Sequence, residues 1–208
     1  MTTLQTTHTL PENYVQSGEL NLAKNPGLTI WLNIIGLAPL VGMGLLCFAV
    51  LGRFRADIFN QVTSFSAGLV EMVFVIAGLL LETIVMLVLH EAVHGVFFWF
   101  FTKNRPKFGF KGAYAYAAAP GWYLPRNAYL VVGLAPLVVI SLIGLALLLV
   151  APVSWLFWII LLVAFNAGGA IGDMAVAVWI LTKPGNVLYM DFGDGVLSFQ
   201  PAAVPDIP

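Results

Sequence analysis

Four apolar runs, each long enough to cross a bilayer, constrain this chain more than any other feature. They lie near residues 28–51, 69–101, 128–150 and 155–181, and about 20 apolar residues suffice for a crossing helix. The chain is 60% hydrophobic and only 9% charged, whereas charged residues make up about a quarter of an ordinary soluble domain. Lipid satisfies no backbone polar group, so spanning segments must be helices or strands of closed barrels. Runs of this length select helices. The expected fold is an all-α membrane protein with four transmembrane helices. The second run covers about 33 residues, roughly 50 Å of helix, and must tilt, break or project from the membrane.

Basic residues set the expected topology. With the amino terminus in the cytosol, Lys24, Lys103, Arg105, Lys107, Lys111, Arg126 and Lys183 fall inside, and only Arg53 and Arg55 outside. That asymmetry follows the positive-inside rule. It predicts a polar cytosolic segment over residues 1–27, a four-helix membrane domain over 28–183 with a cytosolic loop at 102–127, and a cytosolic tail over 184–208. The protein is expected in the plasma or inner membrane. A net charge of −1 with scattered basic residues predicts no nucleic-acid partner. The single cysteine, Cys47, cannot form an internal disulfide, and no cleaved leader is expected.

The second run holds His90-Glu91-Ala92-Val93-His94, a His-Glu-x-x-His motif. Histidines four apart lie on one helix face, one turn apart, so both imidazoles can reach one metal ion. The glutamate between them can act as general base on a metal-bound water. Membranes penalise such residues, which makes a packing role a poor explanation for them.

A catalytic zinc takes three protein ligands and keeps a fourth place for water. Glu82 is eight residues before His90, about 12 Å along the helix and off the histidine face, and Glu71 is farther away. His8 lies in the polar amino-terminal segment. Asp173 is better placed, because the second and fourth runs have the same direction and put it at a depth similar to that of the histidines. Asn166 lies two turns before Asp173 on the same face, with Gly169 and Ala170 between them, and small residues let a neighbouring helix approach. A glycine-rich packing seam with a hydrogen-bonded aspartate stands as the alternative. Glu82 reads as an acid facing the bundle or a gating carboxylate; Glu71 could pair with Arg53 or Arg55.

Two hairpins are expected outside the spans. Lys107-Phe-Gly-Phe110 and Ala113-Tyr-Ala-Tyr-Ala117 alternate with period two around Lys111-Gly112. The pair reads as an interfacial hairpin anchored by Tyr114, Tyr116, Trp122 and Tyr123, or as an edge strand that holds an extended substrate. Residues 187–199 read as a second hairpin turning at Gly193-Asp194-Gly195. Gly36-Leu-Ala-Pro-Leu-Val41 recurs as Gly133-Leu-Ala-Pro-Leu-Val138, but the 97-residue offset carries His90 onto Val187, so the match is read as chance with a kink at each proline.

In the order of its motifs, the chain resembles the putative zincin peptidase family: His-Glu-x-x-His ending a long span, a Lys-Phe-Gly-Phe loop, Leu-Ala-Pro-Leu in the next span and Asn-x6-Asp in the last. More distantly it is similar to the site-2 protease class of intramembrane metalloproteases. The resemblance implies Zn2+ held by His90, His94 and Asp173, with Glu91 catalytic and Asn166 near the substrate. It departs from the site-2 pattern where Gly168, Gly169 and Gly172 precede Asp173 in place of prolines, and Met174 follows in place of glycine. The expected function is zinc-dependent intramembrane or membrane-surface peptide hydrolysis, with a membrane protein or peptide as substrate and the bilayer as partner. A non-hydrolytic zinc-binding scaffold and a metal-ion transporter are the rival readings. The sequence leaves the substrate and the oligomeric state open.

Overall fold

A computed structural model describes residues 4–22, 24–56, 58–59, 68–111 and 114–202. In chain order these form β1 (Tyr14–Leu20), α1 (Pro26–Phe54), α2 (Leu69–Thr102), β2 (Lys107–Phe110), β3 (Ala115–Ala118), β4 (Leu124–Pro125), α3 (Arg126–Val150), α4 (Val153–Gly169), α5 (Ile171–Leu181), β5 (Leu188–Asp191) and β6 (Val196–Pro201). The protein is mostly helical, and four stretches are long and apolar enough to cross a membrane: Pro26–Phe54, Val70–Thr102, Arg126–Val150 and Val153–Leu181. The last is divided at Ala170 into α4 and α5. Glycine destabilises helix interiors, and Gly168, Gly169 and Gly172 surround the break.

The helical expectation with its two short hairpins is extended in one respect, since β1 and β4 join the tail hairpin in a four-stranded antiparallel sheet. Its order is β1-β6-β5-β4, and the β2-β3 hairpin forms a second sheet. The polar amino-terminal segment supplies β1, which pairs with β6 from Tyr14↔Pro201 to Leu20↔Val196. A register irregularity falls between Gln16 and Gly18, where the Ser17 hydroxyl bonds to Ser198. Nothing local in Tyr14–Leu20 announces this strand; its partner lies at the opposite end of the chain. The expected tail hairpin is β5-β6, with Gly193 at φ 93° in its turn. The loop hairpin pairs Lys107↔Ala118 through Phe110↔Ala115. Its expected tip residues Gly112 and Ala113 lie outside the described residues, as do most of the 52–66 connection and residues 203–208 of the tail.

The chain divides into two compact units. The first comprises Met1–Ile30, Glu91–Ala135 and Gly172–Pro208. Its core joins Phe98 of α2, Tyr129 and Val132 of α3, and Ile180 of α5 to Leu124, Tyr189 and Val196 of the sheet. Tyr189 is fully buried, and its hydroxyl donates to the Ile180 carbonyl. The second unit comprises Trp31–His90 and Pro136–Ile171. Cys47 and Leu51 of α1, Leu148 of α3, and Leu156, Ile160 and Val163 of α4 form its core.

Small residues set the helix contacts in this second unit, as in membrane bundles generally. A Cβ at Gly36 would lie 2.9 Å from the Gly168 carbonyl oxygen, and one at Gly78 would lie 2.2 Å from the Trp158 ring. Gly36 and Gly133, the paired positions of the sequence repeat, are not equivalent, because a Cβ at Gly133 would meet nothing within 4 Å. Arg55 donates to the Leu148 and Ala151 carbonyls and so caps α3. The outward faces of α1 and α2 are apolar: Trp31, Phe74 and Leu80 are all well exposed. Contiguous apolar surface of this kind suits lipid rather than water.

Candidate metal centre

His90 and His94 occupy successive turns of α2, and both are buried. The His90 Nδ1–H donates to the Asn166 side-chain oxygen at 2.9 Å, and the Asn166 amide donates to the Pro136 carbonyl at 3.1 Å. Asn166 is fully buried in α4. The His94 Nδ1–H donates to the Val132 carbonyl at 2.9 Å. Both rings therefore have their Nδ1 protons committed, leaving the Nε2 lone pairs as donors. Such hydrogen bonds fix tautomer and orientation in metal-binding histidines.

A main-chain carbonyl in the middle of a helix normally accepts from the N–H four residues on. For Val132 that residue is Pro136, which has no N–H. The proline inside α3 thus releases the carbonyl that His94 uses. The sequence carried this signal in Leu134-Ala-Pro136, but it is legible only once α2 and α3 are known to meet there.

Asp173 lies in the first turn of α5. The break at Ala170 places this carboxylate at a helix N-terminus, where exposed N–H groups and the helix dipole favour an anion. Its Oδ1 is 3.4 Å from the His94 Nε2. The contact is an ion pair when the imidazole carries a second proton, and a cation can take that proton's place between the same two atoms. Two ligands about 2.05 Å from a tetrahedral zinc lie about 3.4 Å apart, so this pair fits a common metal. One donor atom from each of His90, His94 and Asp173 lies within 4.8 Å of the others. The nitrogen–nitrogen–oxygen set suits zinc, and these three residues could hold it.

Glu91 is partly exposed beside the histidines. Glu82 has a buried Oε1 with no hydrogen-bond partner and belongs to no metal-binding group among the described residues. His8 lies edge-on to Trp122 at 5.2 Å, likewise outside the ligand group.

Sequence reasoning missed Tyr129 and Asp191. Tyr129 lies one turn before Val132 on α3 and packs edge-on against Phe98, one turn after His94 on α2. Its hydroxyl donates to Asp191 Oδ2 at 2.5 Å, and the Gly193 N–H donates to Asp191 Oδ1 at 2.8 Å. Desolvation, helped by the nearby Asp173 charge, pushes the Asp191 carboxyl up to about 6 against the lowering effects of Tyr129, Gly193 and His94. No motif marks this aspartate in the tail. Immediately after Gly193, Asp194 is held below the usual carboxylate range by hydrogen bonds from Lys111, at 2.6 Å, and from Tyr114. These bonds dock the hairpin tip onto the β5-β6 turn.

Four long apolar helices, two buried histidines and a half-buried aspartate describe a helical protein equipped to bind a metal. The chain belongs to the putative zincin peptidase family, whose model matches residues 83–188, about half its length and all of the candidate site residues. Membership at this level makes the protein a zinc metallopeptidase by class. No curated protein and no solved structure matches the chain.

Proposed function

We propose that the protein is a zinc-dependent endopeptidase that hydrolyses peptide bonds within a membrane or at its surface, in the manner of the site-2 proteases. The observation that carries this reading is the convergence of His90, His94 and Asp173 around the His-Glu-x-x-His glutamate in a zincin-family chain. His90, His94 and Asp173 hold the metal. When bound, zinc lowers the pKa of a coordinated water towards about 7 and acts as a Lewis acid. Glu91 takes the proton of the attacking water and returns it to the leaving amine. Asn166, with its amide engaged by His90 and Pro136, acts as a positioning residue for His90.

A helical substrate hides its carbonyls in backbone hydrogen bonds and must unwind before attack. Among the described residues β2 and β3 pair only with each other, so the hairpin has open edges suited to holding an unwound stretch by strand addition. The positive-inside asymmetry supports placing this hairpin and both termini in the cytosol.

The test has two parts, zinc content and cleavage. One zinc per chain is expected in the purified protein, lost in His94→Ala and Asp173→Ala. Glu91→Gln should keep the zinc and lose cleavage of co-expressed membrane segments by about 10²- to 10⁴-fold, the usual share of a general base. Cleavage surviving in Glu91→Gln would refute the mechanism, and a zinc-loaded protein that cuts nothing would favour the scaffold reading.

A further inference from the structure

The β2 strand lies against α2 at a position set by a glycine. Glu91 and Gly95 are four apart on α2, so they are neighbours on one helix stripe, with about 5–6 Å between Cβ positions. Side chains on a helix lean towards its N-terminus; a Cβ at residue 95 would therefore project over the turn that carries Glu91. That volume is already filled. A Cβ built on Gly95 would lie 2.4 Å from Cζ of Phe108 and 2.8 Å from its Cε1. The tip of the Phe108 ring thus lies against α2 one residue past His94 and one turn past Glu91, and only the absence of a side chain at 95 lets it approach.

Phe108 is nevertheless 59% exposed. Its ring is therefore an uncovered apolar shelf at the edge of the site rather than part of the core. The hairpin that presents it is fixed on its other face. The ring of Tyr116, the cross-strand partner of Gly109, lies over Gly109 and also against Gly193. Lys111 and Tyr114 hold Asp194 at the next position of the same turn. An aromatic ring held this way costs little further ordering when a ligand meets it.

We propose that Phe108 is a specificity-determining residue: its ring packs against the substrate side chain next to the scissile bond and selects an apolar one there. This inference rests on the peptidase reading above. The substrate class it implies is a peptide with an aliphatic or aromatic residue beside the cut.

The test needs no knowledge of the natural substrate. Peptide hydroxamates chelate zinc, and a set differing only in the adjacent side chain (glycyl, leucyl, phenylalanyl, glutamyl) reads the neighbouring surface. Binding to the zinc-loaded, full-length protein in detergent should favour leucyl and phenylalanyl over glycyl by about tenfold, the discrimination typical of an apolar pocket. In Phe108→Ala that preference should collapse while zinc content and glycyl binding persist; Phe108→Leu should restore most of it. Gly95→Ala, which displaces the ring, should weaken the same preference. An unchanged preference in Phe108→Ala, or a preference for glutamyl in the unmodified protein, would overturn the proposal. Failure of every hydroxamate to bind zinc-loaded protein would overturn the peptidase reading with it.

Discussion

Replacing Pro136 by alanine separates helix stability from metal affinity, because the two should move in opposite directions. Proline inside a helix costs about 3 kcal/mol relative to alanine, and Pro136 lies inside α3. Alanine restores an N–H four residues after Val132, and that donor competes with the His94 Nδ1–H for the Val132 carbonyl, now 2.9 Å away. Helix stability should rise by at most about 3 kcal/mol, since the released carbonyl already has a partner. Loss of a hydrogen bond that orients a metal-binding histidine costs about 10- to 100-fold in affinity. A carbonyl has two lone pairs and can serve both donors in part, so about tenfold, or 1.4 kcal/mol, is the expected loss. Zinc competition with a chromophoric chelator gives the affinity, and denaturant unfolding of metal-free protein in detergent gives the stability. Higher stability with unchanged zinc affinity would refute the reasoning and leave Pro136 as a kink only. A fall in both would indicate general damage.

Asn166→Ala should strip the partner from the buried His90 Nδ1–H, costing about 1–3 kcal/mol and weakening zinc binding in the same competition assay. Asp191 supplies a pH signature, because its folded pKa of about 6 exceeds the unfolded value near 3.8. Its contribution is fully present below about pH 3.8 and lost as pH rises through 6, a decline of about 3 kcal/mol at most; metal-free Asp191→Asn, unfolded across this range, should lack it. Glu82 has a buried oxygen without a partner, so Glu82→Leu should leave stability unchanged or raise it by about 1–3 kcal/mol with zinc content intact. Zinc loss in that variant would give Glu82 a role at the centre.

The sequence made the spanning helices legible because their signal is local. The expected runs begin and end within about three residues of α1, α2 and α3, and frayed ends account for differences of that size. Periodicity likewise disclosed β2-β3 and β5-β6, whose partners are close in the chain. β1 was invisible for the converse reason: its partner β6 begins at Val196. The candidate site divides in the same way. The His90-Glu91-His94 spacing needs only one helix, whereas Asp173 required an argument about depth across two. That argument reached a residue whose carboxylate lies within 4.8 Å of both histidine donors, without the α5 N-terminus, created by the break at Ala170, that positions it. Asn166 was found on the Asp173 face, yet its bond to His90 depends on how α2 and α4 pack. Asp191 and Val132 lay beyond reach: one sits in an unmarked tail, and the other acts through its backbone, which side-chain motifs do not report.

The two histidines and the proline address a single energetic problem. An imidazole buried in an apolar bundle needs a partner for its Nδ1–H, because an unmet donor there costs several times what it would in water. A regular helix supplies one poorly from its interior, since every carbonyl already accepts from within the same helix. Pro136 changes that count on α3. Its missing N–H opens the Val132 carbonyl to His94, while its own carbonyl accepts from Asn166, whose oxygen meets His90. One residue therefore stands behind both rings, by separate routes. The backbone penalty of a proline in mid-helix and the desolvation penalty of two buried imidazoles are individually unfavourable, and each offsets part of the other.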